Sequence, residues 1–261
     1  MEKLTIVKIG GKVINEEQAL DAFLKKFANI EGRKMLVHGG GNIASEWQRK
    51  LGIEPKMIEG RRLTDKDTID IVSMIFSGLN KKIVAKLQGL DIQALGLSGA
   101  DLNLIKSYKR MNLVIDYGYV GDIESVNDQA FNSLMNLDIT PVICALTHDN
   151  SGQLLNTNAD TIASALAKSL SETHKVNLVY CFEQPGVLSD FEKKTVIPLI
   201  LKKDYEGLKK NGTINDGMIP KIDNAFSAID AGVSQVKICH FDSIDTIESD
   251  DYAGTVLCQK R

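Results

Sequence analysis

Leu4-Thr5-Ile6-Val7-Lys8-Ile9-Gly10-Gly11-Lys12 is a short apolar run, rich in β-branched residues, that stops at two glycines. It carries one lysine where a buried strand would favour another valine. A strand that ends in Gly-Gly and feeds a helix suits an anion, because a backbone without Cβ atoms can approach an oxyanion and the amides at the helix start point at it. The same residues also fit an ordinary turn after an edge strand. Lys8 is harder to accommodate, since an unpaired ammonium in a central strand costs several kcal/mol. It needs a carboxylate or a phosphate.

The unit then repeats. Leu20, Phe23, Leu24 and Phe27 fall on one helical face, with Glu16 and Glu17 near that helix's N-terminus, where the dipole favours acids. Met35-Leu36-Val37-His38 reads as a second strand ending in Gly39-Gly40-Gly41, with Asn42 as N-cap of a helix whose apolar face is Ile43, Trp47 and Leu51. Adjacent βα units of this length build a parallel sheet, with both glycine turns at the edge where α/β ligands bind. Thr64 or Asp65 caps a long helix carrying Val72, Ile75, Phe76, Leu79, Ile83 and Leu87 on one face, a stripe long enough to leave surface for a dimer contact.

Further strands are expected over 92–97, 139–146, 176–182, 235–240 and 255–257, with an antiparallel ribbon inserted over 113–126. Residues 147–155 read as a loop and 193–203 as a charged hinge. Helices are expected from Thr161 to about Leu170, from about Asp204, and through Ile222, Ala225, Phe226 and Ile229. The fold class is α/β in two lobes, 1–172 and 173–261.

With 261 residues, 43% hydrophobic and 25% charged, the chain has ample material for a core. A formal net charge of -3 and the lack of a long basic run argue against nucleic acid as the main partner. Cys144, Cys181, Cys239 and Cys258 are far apart and lack C-x-x-C spacing, so free thiols in a reducing compartment are expected. No stretch has the length of a signal h-region or a membrane span. A cytoplasmic protein with no membrane partner is the expectation.

Three cations sit beside glycine or N-cap residues: Lys8, Arg62 and Lys221. Lys221 follows Asp216-Gly217-Met218-Ile219-Pro220, where a proline in the first helical turn puts it near a helix N-terminus. The dipole disfavours a cation there, so an anion must justify it; a solvated surface lysine is the alternative. Asp160 is the best carboxylate partner for Lys8, although Asn158 or Asp160 also suits a plain helix cap. Arg62 fits a bidentate grip on a carboxylate, whereas Arg61 is expected in solvent. Gly39-Gly40-Gly41-Asn42-Ile43-Ala44 also satisfies the dinucleotide pattern G-x-G-x-x-A, with Glu59 at a suitable distance. Against it, the unit is second in the chain and the first carries Lys-Ile-Gly-Gly. His38, His148, His174 and His240 have no metal-ligand spacing, and no serine lies in a nucleophile elbow.

Val7-Lys8-Ile9-Gly10-Gly11, His38-Gly39-Gly40-Gly41, Gly60-Arg61-Arg62-Leu63-Thr64, Asn156-Thr157-Asn158-Ala159-Asp160 and Asp216-Gly217-Met218-Ile219-Pro220-Lys221 together resemble the amino acid kinase superfamily, and within it the branch acting on N-acetyl-L-glutamate. The motifs stand in family order and span essentially the whole chain. The resemblance implies a three-layer αβα sandwich around an open, mainly parallel sheet, with the acyl amino acid and dimerisation on lobe 1–172 and ATP on lobe 173–261. It implies transfer of the γ-phosphoryl of MgATP to the side-chain carboxylate of N-acetyl-glutamate, in arginine or ornithine synthesis. Lys8 and Lys221 then stabilise the moving phosphoryl and Asp160 holds the lysines. The Gly40 and Gly41 amides cradle the reacting carboxylate, and Arg62 and Asn156 bind the substrate α-carboxylate. Phosphate and nucleotide contacts are expected from Gly10, Gly11, Asn158, Glu183, Ile214, Asn215 and Gly217, with Mg2+ held by no protein side chain. A glutamate-like carboxylate, with a pKa of roughly 4.3, is ionised at neutral pH and needs no general base. The reaction needs charge neutralisation instead.

Two departures from the family pattern stand out. Phe182-Glu183-Gln184-Pro185-Gly186 replaces the usual Ser/Thr-Asp-Val before glycine, which leaves the adenine and ribose contacts open. The chain also begins at its first strand, without the N-terminal helix of the arginine-inhibited hexamers, so a homodimer insensitive to arginine is expected. N-succinyl-glutamate is the alternative substrate. A catalytically silent metabolite sensor and an NAD-dependent oxidoreductase are alternatives of another class; the joint presence of Lys8, Asp160 and Lys221 argues against the sensor.

Overall fold

A computed structural model of the chain describes residues 1–58, 61–190, 192–214, 218–249 and 252–260. The principal strands are β1 Lys3–Ile9, β2 Arg33–His38, β3 Ala94–Leu97, β4 Thr140–Cys144, β5 Lys175–Phe182, β6 Leu199–Leu201, β7 Gln235–His240 and β8 Gly254–Cys258. The principal helices are α1 Glu17–Ala28, α2 Gly41–Lys50, α3 Lys66–Gln88, α4 Asp128–Asn136, α5 Ala159–Leu170, α6 Lys202–Lys210 and α7 Ile219–Asp230. The chain forms two compact units, residues 1–35 with 163–261, and residues 36–162. The two lobes expected from the sequence, 1–172 and 173–261, have other bounds than these compact units.

In the first unit β1 runs parallel to β5, from Lys3↔Lys175 to Ile9↔Cys181, and β5 runs parallel to β7. β8 lies antiparallel to β7 and parallel to β6. In the second unit β4 lies between β2 and β3, parallel to both. All five residues of β4 are buried, the pattern of a parallel strand covered on both faces. The α/β class and the mainly parallel sheet are as expected.

The helical stripes bury as their spacing requires: Leu20, Phe23, Leu24 and Phe27 of α1, and Val72, Phe76, Leu79, Ile83 and Leu87 of α3, are core residues. Asp65, not Thr64, caps α3, its Oδ1 accepting from the Thr68 N–H at 2.9 Å. All four cysteines are free; Cys144, Cys181 and Cys239 are buried and Cys258 is half-buried. Among the described residues no helix is long and apolar enough to cross a membrane.

Several expectations are corrected. Asn42 lies inside α2, which begins at Gly41 with Gly40 as N-cap. The buried residues of α2 are Ala44 and Gln48, whereas Trp47 is 44% and Leu51 56% exposed, so this helix is rotated by about one residue from the expected face. Leu113 and Val114 belong to no strand and are fully exposed. The Asn112 side chain accepts from the Val114 and Ile115 amides and turns the chain there. The ribbon is instead Ile105–Lys109 against Gly121–Val126, extended by Leu146–His148 and Leu154–Asn156, which reach into the expected loop 147–155 from both ends. The expected hinge over 193–203 contains strand Thr195–Val196 and β6, and α6 begins at Lys202.

Candidate active site

In the first unit, β1 delivers Lys8 to its end and the chain turns at Gly10 and Gly11. A Cβ added to Gly10 would come within 3.1 Å of the Lys8 Nζ, so the lysine folds back over that glycine. Gly11 has φ +55, a conformation that costs an L side chain, and its Cβ would meet Glu183 Oε1 at 2.8 Å. The helical turn Lys12–Asn15 follows, and the Lys12 N–H donates to Glu183 Oε1 at 2.8 Å. Glu183 therefore already answers the first amide of the glycine turn with a carboxylate. Lys221 sits in the first turn of α7, which has proline there as expected, and its Nζ lies 5.5 Å from the Phe182 ring centroid. Lys8, the two glycines and Glu183 are thus brought together, with Lys221 against the residue before Glu183. Ile214 is a buried apolar side chain. Asn215 and Gly217 lie outside the described residues.

In the second unit, the hairpin Met57–Ile58 against Arg61–Arg62 alternates so that Arg62 is buried and Arg61 exposed, as expected. The Arg62 guanidinium is held from three sides: Nη2 donates to Gly41 O at 2.8 Å and to Ser45 Oγ at 2.6 Å, and Nη1 donates to Gln48 Oε1. Gln48 in turn donates to Thr68 Oγ1 at 3.0 Å. Burial, with Arg49 nearby, pushes the guanidinium below its ordinary pKa. Thr64 ties Arg62 to Asn156: its hydroxyl donates to Arg62 O at 3.0 Å and accepts from Asn156 Nδ2 at 3.1 Å. The strap 117–120 fastens this corner through Thr64 N–H to Tyr117 O and Asn156 N–H to Tyr119 O. Gly118 has φ +71, and a Cβ there would strike Thr64 O.

The triglycine turn closes the same corner. Gly40 has room for no side chain, since a Cβ would press on Phe76 at 3.0 Å and Leu79 at 3.3 Å. The N-cap of α2 is Gly40, which brings no side-chain cap to the first amides of the helix. A Cβ added to Gly39 would come within 3.8 Å of Ala159 Cβ, which places the start of α5 beside the turn. Asn158 caps that helix, its Oδ1 accepting from the Asp160 and Thr161 amides at 2.8 and 3.1 Å. Asp160 is half-buried in the first turn of α5. Gly40, Gly41, Arg62, Asn156, Asn158 and Asp160 are thus gathered by one unit.

Ser45 and Gln48 hold Arg62 without having been singled out in the sequence, and Thr64, expected there as a possible helix cap, instead links Arg62 to Asn156. Gln48 had a signal, a polar residue at helical spacing from the buried Ala44. Glu59 and Gly60 lie outside the described residues. Among the described residues, no three of His, Cys, Asp and Glu gather as a metal-binding group.

The sequence pattern of the Amino acid kinase family matches residues 3–240. The chain belongs to the amino acid kinase family. It is 52% identical over 261 residues to the acetylglutamate kinase of Cytophaga hutchinsonii, covering 98% of this chain and 99% of that one, and 50% identical to that of Phocaeicola vulgatus, covering 98% of both. Among solved structures it is similar to smu.665 from Streptococcus mutans UA159, with TM-score 0.79, 26% identity and coverage of 98% of this chain and 99% of that one. It also shares the fold of N-acetylglutamate synthase from Neisseria gonorrhoeae, with TM-score 0.84, 18% identity and coverage of all of this chain and 60% of the other.

Proposed function

We infer that this member of the family phosphorylates the side-chain carboxylate of N-acetyl-L-glutamate at the expense of ATP, a step of arginine or ornithine synthesis. The observation that carries the reading is identity near one half to acetylglutamate kinases over nearly the full length of both chains. The chemistry of the second unit supports it. A buried arginine beside uncapped amides of a helix start suits an acid with two carboxylates, one gripped by a fork of donors and one met by backbone N–H groups.

Residue roles follow. Arg62 and Asn156 bind the α-carboxylate, and the Gly40 and Gly41 amides cradle the reacting one. Lys8 and Lys221 offset the charge on the moving phosphoryl while Asp160 organises the lysines. Gly10, Gly11, Asn158, Glu183, Ile214, Asn215 and Gly217 contribute on the nucleotide side; lobe 1–172 takes the acyl amino acid and lends Gly10, Gly11 and Asn158 to the phosphates, and lobe 173–261 takes ATP. Mg2+ would enter with ATP, no protein side chain being assigned to hold it, and would offset charge on the phosphates. The nucleophile is already ionised, so no side chain has to take a proton from it.

The protein works in the cytoplasm as a homodimer. Four free thiols favour a reducing compartment, and sedimentation velocity tests the dimer. A coupled assay with acetyl-, succinyl- and unacylated glutamate tests the function. Turnover with the acetyl compound well above the other two is expected, and preference for N-succinyl-glutamate would replace the substrate while keeping the reaction.

A further inference from the structure

His38 ends β2 one residue before the triglycine turn, and its ring is completely buried. Its neighbours fix its tautomer. Asn80 Nδ2 lies 2.9 Å from Val142 O, which can only accept, so this amide atom is the nitrogen and points as a donor. The same nitrogen lies 3.1 Å from His38 Nε2, which must accept from it. The ring proton therefore sits on Nδ1, where it is donated to Gly39 O at 2.8 Å. Burial agrees, lowering the imidazole to about 4 and holding it neutral. Room for the Asn80 amide comes from Gly96, where a Cβ would stand 2.0 Å from Asn80 Oδ1.

Gly39 O and the Gly40 N–H belong to one planar trans peptide and point in opposite directions. Between two glycines such a peptide can flip at little steric cost, and the flip would aim a carbonyl oxygen where the amide had been. Opposite a carboxylate that exchange turns attraction into repulsion. Resting on the reading above that the Gly40 amide meets the reacting carboxylate, we propose that His38 is a positioning residue: its Nδ1–H anchors Gly39 O and so locks the Gly40 amide toward the acceptor carboxylate. Asn80, fixed by Val142 O, sets the tautomer that makes this possible. The histidine touches no substrate and exchanges no proton in the reaction.

Two substitutions separate this role from simple core filling. Asparagine places its amide nitrogen near the position of Nδ1, whereas glutamine reaches the position of Nε2 and satisfies Asn80 without reaching Gly39 O. Steady-state kinetics should show the KM for N-acetyl-glutamate raised about tenfold or more in His38→Gln and much less in His38→Asn, with the KM for ATP unchanged in both. A histidine that only fills space and satisfies Asn80 predicts the reverse order, with glutamine the better replacement and thermal stability rather than KM affected. Equal KM values in the two folded variants, or that reverse order, overturn the proposal. Lack of turnover of N-acetyl-glutamate by the unmodified enzyme would instead overturn the assigned function. Should both variants fail to fold, 15N-edited spectra of the unmodified protein decide. An Nδ1–H tautomer for His38, with the Gly40 amide proton moving downfield on saturation with N-acetyl-glutamate, supports the lock, and an Nε2–H tautomer or an unmoved Gly40 amide refutes it.

Discussion

Arg62→Lys isolates what the planar guanidinium contributes beyond charge. The arginine donates to Gln48, Gly41 and Ser45 at once, and Gln48 is only 1% exposed. A lysine ammonium can replace one of these bonds but not the fork. If Gln48 Oε1 loses its donor, a buried acceptor without a partner costs about 1–3 kcal/mol. In a chain of this size that lowers Tm by about 2–4 °C per kcal/mol. The larger effect falls on binding: a hydrogen bond from the guanidinium to the charged α-carboxylate is worth about 1.5–3 kcal/mol, so the KM for N-acetyl-glutamate should rise about 10- to 100-fold. That carboxylate is remote from the transferring phosphoryl, so kcat and the KM for ATP should hold, the signature of lost uniform binding. Initial rates over a grid of both substrates, with a thermal melt of each protein, measure all four quantities. A melt lowered as expected with the KM for N-acetyl-glutamate within about twofold of the parent, inside the usual error of such comparisons, would reduce Arg62 to a structural residue.

Lys8→Ala should lower kcat by about 10²–10³ with circular dichroism unchanged, and unaltered turnover would sink the role given to that lysine. Gly11→Ala forces a side chain into φ +55 and onto Glu183 Oε1, displacing the carboxylate from the Lys12 amide; a loss of about 1–3 kcal/mol in urea unfolding is expected, and a neutral effect would contradict the geometry. Burial lowers His38 to about 4 from the ordinary 6.5, so between those values the unfolded chain binds more protons than the native one and stability rises with pH. This contribution is complete above pH 6.5 and lost as pH falls through 6.5 towards 4, worth about 3 kcal/mol at most. His174, lowered mainly by burial, adds in the same direction. Urea midpoints followed through that window should therefore fall more steeply in the parent than in His38→Asn, and parallel curves would refute the assignment.

The βα repeat was plain in the sequence because a strand, a glycine turn and an amphipathic helix are all local patterns. Lys8, Arg62 and the glycines could be singled out for the same reason: each sits at odds with its immediate surroundings. The face of α2 was misjudged because periodicity weighs Ile43, Trp47 and Leu51 as apolar, whereas burial of Gln48 is enforced from outside the helix, by Arg62 and Thr68. Trp47 instead lies on the surface with Lys50 Nζ 5.0 Å from its ring centroid. Strand β6 escaped notice because three residues beside a charged run carry little pattern, and its edge pairing comes from β8, distant in sequence. Of the two caps the sequence offers for α5, Asn158 and Asp160, it is Asn158 whose Oδ1 takes the helix amides, and its Nδ2 is not used in that capping. Asn80 and His38 look like ordinary polar residues in a list; only their meeting at Val142 and Gly39 gives them meaning.

The pairing of β1 with β5 bears on how the protein is made. Residues 36–162 form a compact unit from one continuous stretch, able to collect its contacts while the remainder is still being synthesised. β1 precedes that unit in the chain, yet its parallel partner β5 begins at Lys175 and the next strand in that sheet at Gln235. The edge of β1 that pairs with β5 therefore closes only after residue 175 has been made, a long-range closure of the slow kind. The lysine that interrupts the apolar run of β1 thus has a second consequence: it puts a charge into a strand one of whose edges waits for a partner distant in sequence.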